Sequence, residues 1–171
     1  IMPRKPSYVT VTTDCDFFVL LSKIDQRFST CFMLESLGED NHISRYSLIG
    51  FDPEQIIWAR EQTLTMQNRL GQQTHYQSEN PYYLLREWVP QNIISRRYAG
   101  GLTGFISYDA MNYFEPHLRL QTSEAFESFK FGLYKDGLIF DKMTGEVIYF
   151  HYEDSRIDLI EALLAAPTPT L

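Results

Sequence analysis

Short apolar runs, each cut off by turn residues, follow one another along almost the whole chain, and a chain punctuated in this way folds mainly as sheet. Tyr8-Val9-Thr10-Val11-Thr12 alternates and is β-branched. Thr30 to Leu34 is a short apolar run expected to form a strand buried on both faces. Arg45 to Phe51 is another strand, stopped by Asp52-Pro53. Ile56-Ile57-Trp58 and Leu64-Thr65-Met66 continue the pattern with Gly71 as a turn, and Leu102 to Tyr108 follows a glycine pair. Phe129 to Tyr134, Leu138 to Phe140 and Val147 to Tyr152 read as a meander. Its turns fall at Asp136-Gly137 and Thr144-Gly145, the first being the stronger hairpin signal.

Helical spacing is confined to three places. Thr13 followed by Asp16 resembles a capping box with the shorter acid. Phe17, Leu20, Leu21 and Ile24 then form an apolar stripe at i, i+3, i+4 and i+7. Asn80-Pro81 is a helix start, an N-cap with proline at the first helical position, and the helix it opens carries Tyr82, Leu85 and Trp88 or Val89 towards Pro90. A last helix over about Ser155 to Ala165 places Ile157, Ile160 and Leu164 on one side. The expected class is α+β, a mostly antiparallel β-sheet with a few flanking helices. One domain is expected over residues 2–165. Residues 166–171, Ala-Pro-Thr-Pro-Thr-Leu, have the composition of a linker and point to a further segment beyond them.

At 171 residues with 44% hydrophobic and 15% aromatic content, the chain can bury a core, and its composition is not that of a disordered protein. A net charge of -7 argues against nucleic acid or an anionic membrane as partner, since both require a basic footprint. Arg96-Arg97 is the densest basic spot and does not reverse that balance. Cys15 and Cys31 are the only cysteines and form no CxxC, which speaks against a disulfide framework or a zinc site and for a reducing cytoplasm. His42, His75, His117 and His151 lack ligand spacing. No run approaches the ~18 apolar residues of a membrane span, and no signal-peptide pattern opens the sequence.

Known catalytic patterns are missing. There is no G-x-S-x-G elbow, and Gly100-Gly101-Leu102-Thr103-Gly104 lacks both GK[ST] and GxGxxG spacing. It also leads into a strand rather than a helix, so these glycines are expected to permit tight backbone packing or a bulge. Asp109 and Glu115 stand six residues apart, on different faces of a helix, and read as capping or solvated acids. Glu35, Ser36 and Arg45 differ in kind. The run Cys31-Phe32-Met33-Leu34 stops abruptly at Glu35-Ser36, and Arg45 opens the next strand. A carboxylate suits an ammonium and a guanidinium suits a carboxylate, so a zwitterion such as an amino acid would fit between them. The same spacing allows Glu35 and Arg45 to pair with each other at the surface, with little gain in stability.

Phe32-Met33-Leu34-Glu35-Ser36, Ser44-Arg45-Tyr46-Ser47-Leu48-Ile49-Gly50, Asp52-Pro53, Gly100-Gly101-Leu102-Thr103-Gly104-Phe105, Tyr108-Asp109 and Tyr113-Phe114-Glu115 occur in this order. Together, from about residue 8 to about residue 165, they resemble the N-terminal region of anthranilate synthase component I, one of the chorismate-utilising enzymes. The resemblance implies an enzyme that converts chorismate and ammonia to anthranilate and pyruvate with Mg²⁺, in tryptophan biosynthesis. A glutamine amidotransferase subunit, component II, would supply the ammonia. The family's Leu-Leu-Glu-Ser motif helps form the tryptophan feedback pocket and falls on Met33, Leu34, Glu35 and Ser36. Met33 is its one departure, and it conserves volume. A basic residue of the family near the effector corresponds to Arg45. The family's chorismate and Mg²⁺ motifs belong to a large C-terminal chorismate-binding domain, so this chain is expected to carry no catalytic residue and to be inactive alone. Aminodeoxychorismate synthase component I shares the architecture, with a less regular Glu-Ser pair, and is the second reading. A stand-alone ligand-binding module is the third.

Overall fold

Asp16 sets where the first helix begins: its carboxylate accepts the Phe18 N–H at 2.8 Å and the Val19 N–H at 3.3 Å. The N-cap is thus Asp16 itself, not Thr13, whose hydroxyl instead accepts the Cys15 N–H. The computed structural model describes residues 5–36, 38, 44–89, 98–115 and 117–168. In chain order its elements are β1 (Ser7–Val11), α1 (Phe17–Arg27), β2 (Cys31–Leu34), β3 (Tyr46–Phe51), β4 (Gln55–Arg60), β5 (Thr63–Asn68), β6 (Gln73–Gln77), α2 (Pro81–Leu84), β7 (Gly101–Ile106), β8 (Phe129–Tyr134), β9 (Asp136–Asp141), β10 (Glu146–His151) and α3 (Ile157–Ala165). Among the described residues the strands make two five-stranded antiparallel sheets, as the α+β expectation requires. They belong to two compact units, one holding the described residues of 53–89 and 101–134, the other those of 5–52, 98–100 and 135–168.

The second unit carries the sheet β1-β10-β9-β3-β2 with α1 and α3 on one face. Its core joins Phe17, Leu20 and Ile24 of α1 to Ile49 and Phe51 of β3, Leu138 of β9, Tyr149 of β10, and Ile160 and Leu163 of α3. The α1 stripe is therefore core, and in α3 Leu163 is more deeply buried than Leu164. β2 departs from expectation. It lies at the sheet edge, paired in register with β3 (Cys31 opposite Phe51, Leu34 opposite Leu48), half-buried over Cys31 to Met33 and exposed at Leu34. A short apolar run looks alike at the centre and at the edge of a sheet, which is why the sequence misleads there.

Asp136-Gly137 is a second correction. It is no hairpin turn: β8 belongs to one sheet and β9 to the other, and the chain passes between them at Lys135. Gly137 is required by crowding, since a Cβ there would lie 2.8 Å from the Ile49 carbonyl oxygen and 2.9 Å from the Phe150 ring. The weaker signal, Thr144-Gly145, does close a hairpin, between β9 and β10.

The first unit carries the sheet β6-β5-β4-β8-β7. Asn80 caps α2 through the Tyr82 N–H with Pro81 behind it, as read from the sequence, but the α-helix tightens into a 3₁₀ turn at Leu85–Glu87. Pro90 and Arg96-Arg97 lie outside the described residues. Tyr108, expected to end a strand, opens a second 3₁₀ turn, Tyr108–Tyr113. Tyr82 and Tyr113 both pack edge-on to Phe129, while the Tyr113 hydroxyl donates to the Glu61 carbonyl at 2.6 Å. Gly104 supplies the close backbone approach expected of the glycine run: its missing Cβ would fall onto the Lys130 carbonyl and 2.8 Å from Phe131 Cα. Gly104→Ala is expected to force β7 away from β8 and lower stability by about 1–3 kcal/mol. Urea denaturation checks this, and an unchanged midpoint would contradict so close a strand approach.

Candidate functional site

Side chains alternate across a strand, so Cys31, Met33 and Glu35 fall on the face that meets α1, while Phe32 and Leu34 fall on the other. Met33 and Glu35 thereby enter a cavity of about 160 Å³, lined also by Phe17, Ser47, Phe140 and Lys142. The Phe17 and Phe140 rings stack at 5.5 Å and form its apolar wall. Ser47 lies opposite Phe140 across the β3–β9 pair, so its side chain shares that wall's face.

At the mouth, the Glu35 carboxylate forms an ion pair with Lys142 Nζ, and the same ammonium donates to the Ser36 carbonyl at 2.7 Å. The Glu35 and Lys142 side chains are 22% and 13% exposed, so the pair is largely out of water. Burial pushes the Glu35 carboxyl up, but Lys142 and the neighbouring Ser47 hydroxyl outweigh it and hold the acid below its ordinary value. Ser47 is 1% exposed. Its hydroxyl stands near enough to favour the charged carboxylate, yet makes no hydrogen bond of ordinary geometry among the described residues.

Arg45 positions the turn that carries Lys142. Its carbonyl accepts the Lys142 N–H at 2.9 Å, and its guanidinium grips Asp141 with two hydrogen bonds of 2.9 and 2.6 Å. The Met143 N–H donates to the same carboxylate at 3.1 Å. Asp141 is 1% exposed, and the Arg45 guanidinium beside it holds its carboxyl below the usual range. The surface pair between Glu35 and Arg45 that the spacing allowed does not form: each takes a different partner at adjacent positions of one turn. Glu35 and the Ser36 carbonyl converge on Lys142. Leu34, half exposed, and Arg45 lie outside this cavity. Lys142 was legible only as a basic residue between a strand and the Thr144-Gly145 turn; its placement beside β2 depends on the sheet order β9-β3-β2.

The other unit holds a larger cavity, about 480 Å³, with Arg60, Thr65, His75 and Asp109 among its lining. These groups are already engaged. Thr65 Oγ1 meets His75 Nδ1 at 3.0 Å, Asp109 accepts the Ser107 hydroxyl and the Ser123 N–H, and Arg60 reaches the Glu124 carbonyl and Glu127. Asp109 therefore ties loops together as a buried acid, neither solvated nor capping its turn as the sequence suggested. Among the described residues no three His, Cys, Asp or Glu side chains converge as a metal set. Both cysteines are free, and burial together with Asp25 pushes the Cys31 thiol up, away from reactivity. Among the described residues no helix is long and apolar enough to cross a membrane.

No family model matches the chain. It is 39% identical over 165 residues to anthranilate synthase component 1 of Leptospira biflexa, a match that covers 95% of this chain and 35% of that protein. It is 36% identical over 153 residues to the protein of the same name from Methanothermobacter thermautotrophicus, covering 90% of this chain and 32% of that one. Among solved structures, anthranilate synthase component I from Streptococcus pneumoniae TIGR4 superposes with a TM-score of 0.53 at 19% identity, covering 78% of this chain and 32% of that chain, and shares its fold. The chain thus spans about a third of the length of the curated relatives it matches. Over that third, the chain belongs to the anthranilate synthase component I family, as its ordered motifs indicate.

Proposed function

We propose that this chain is the N-terminal, regulatory and structural part of an anthranilate synthase component I. It contributes part of a tryptophan effector pocket through Glu35 and Ser36, while Arg45 holds the neighbouring turn and Leu34 lies on the opposite face of the strand, outside the cavity. The carrying observation is that the Glu35 carboxylate and the buried Ser47 hydroxyl line one apolar-walled cavity, with the Ser36 carbonyl held on the same Lys142 ammonium as Glu35, in a chain whose relatives bear that enzyme's name. The whole protein would form anthranilate and pyruvate from chorismate and ammonia, the ammonia coming from a glutamine amidotransferase subunit. Chorismate and Mg²⁺ would be held by a C-terminal domain. Glu35 faces the ligand's ammonium. Arg45 acts as a positioning residue, because both ends of its guanidinium are spent on Asp141.

Two outcomes are expected. The 171-residue chain, incubated with chorismate, Mg²⁺ and ammonium, gives no anthranilate fluorescence above a blank, and measurable turnover would place chemistry in this region after all. In the whole enzyme, Glu35→Gln raises the inhibition constant for tryptophan by roughly 10- to 100-fold, the loss of one partly desolvated charge-assisted contact of ~1.5–3 kcal/mol. Turnover of chorismate stays near normal, since the cavity holds no reacting group. A variant with wild-type sensitivity would remove Glu35 from the pocket.

A further inference from the structure

We infer that the Lys142 ammonium occupies the place of the effector's own ammonium, so that an amino acid enters this cavity by displacing Lys142 from Glu35. The inference rests on the pocket reading above and adds how the site is kept closed. A primary ammonium carries three donors and no acceptor. Lys142 has spent two of them on the Glu35 carboxylate and the Ser36 carbonyl, the two acceptors that an incoming α-ammonium would use. The third polar group at that spot, the Ser47 hydroxyl, is buried and lacks a hydrogen bond of ordinary geometry among the described residues. An α-ammonium seated deeper than Lys142 would give it one.

Volume points the same way. With Lys142 in place the cavity measures about 160 Å³, well under the roughly 300 Å³ at which small-molecule sites begin. Withdrawal of a four-carbon side chain that is 13% exposed would open the mouth. The backbone need not move with it. Lys142 N–H stays on the Arg45 carbonyl, and Arg45 stays on Asp141, so the swing is confined to rotamers of one flexible side chain. The apparent affinity for an effector is then reduced by the small fraction of molecules whose lysine is withdrawn.

The test uses the whole enzyme with L-tryptophan, with tryptamine, which lacks the carboxylate, and with indole-3-propionate, which lacks the ammonium. Binding is read by calorimetry. Lys142→Met keeps the unbranched stem, one atom shorter, and removes the charge. It is expected to tighten tryptophan and tryptamine on the order of 10-fold, whereas indole-3-propionate, with no ammonium to seat on Glu35, should bind weakly to both proteins. Weaker tryptophan binding with unchanged tryptamine would make Lys142 a contact for the carboxylate and overturn the inference. The wild-type protein gives a second readout that needs no variant: acetylation of Lys142, followed by mass spectrometry, should rise several-fold on saturation with tryptophan. A fall or no change would equally overturn it. If Glu35→Gln binds tryptophan as wild type does, the pocket reading fails and takes this one with it. If Glu35→Gln weakens binding but Lys142→Met does not strengthen it, only the displacement of Lys142 falls.

Discussion

Arg156→Met should cost this protein about 3 kcal/mol of stability, enough to move a urea midpoint by a molar unit or more. Arg156 stands at the start of α3 and reaches back to three strands. Its Nε and one terminal nitrogen grip the two oxygens of Asp136 at 2.7 Å each, while the other terminal nitrogen meets Asp52 at 2.5 Å. The Tyr149 hydroxyl donates to Asp136 at 2.9 Å and accepts the Arg156 N–H at 2.8 Å. The guanidinium also lies 5.1 Å from the centre of the Phe51 ring. Burial alone would pull the guanidinium down, but Asp136 and Asp52 outweigh it and hold Arg156 above its ordinary value. The Asp136 side chain is 7% exposed, so removing its cation leaves a carboxylate that water reaches poorly, supported among the described residues by the Tyr149 hydroxyl. That stranded charge, more than the lost attraction, makes the substitution severe. Arg156→Met with Asp136→Leu removes both ends and should recover part of the loss. A single variant within about 1 kcal/mol of wild type would show that the network does not hold the strands.

The same network shows where the sequence stops being readable. Asp136 followed by glycine has the chemistry of a hairpin turn, and nothing local shows that the chain instead changes sheets at Lys135 and buries the acid against an arginine twenty positions later. Periodicity succeeded where the answer is local: the α1 stripe, the Asn80-Pro81 start and the hairpin at Thr144-Gly145. It failed at β2, because edge and centre differ only in what lies alongside. At the candidate site, Glu35 and Ser36 were singled out by an abrupt end to an apolar run, which is a local signal. Lys142 was missed because it is their neighbour only through the order β9-β3-β2, and Ser47 because a hydroxyl in a strand says nothing of whether it finds a partner. Arg45 reads as a ligand's cation from the sequence, but Asp141, 96 positions away, takes its guanidinium.

Stability should fall steeply between pH 10 and pH 12, and two tyrosines should account for much of the slope. Burial first, then the Asp136 charge, pushes the Tyr149 hydroxyl up to about 12. Burial first, then the neighbouring Tyr8 and Tyr98, does the same to Tyr152, whose hydroxyl donates to the Ala99 carbonyl at 2.6 Å. An unfolded tyrosine ionises near 10. Both folded values are raised, so the contribution is present in full below about pH 10. Above that, the unfolded chain gives up protons that the folded chain keeps, and stability drops until the folded hydroxyls ionise near 12. A rise from near 10 to about 12 corresponds to at most about 3 kcal/mol for each residue. Tyr149→Phe removes a hydroxyl that Asp136 and Arg156 use, so its stability below pH 10 should already be lower, and its slope above pH 10 shallower. Tyr152→Phe gives up one hydrogen bond to a carbonyl and should show the shallower slope with the smaller neutral-pH loss. Tyrosinate absorbance, titrated in parallel with urea unfolding, separates the two effects, since each variant should lose one late-ionising group. Slopes identical to wild type in both variants would assign the alkaline loss to other groups.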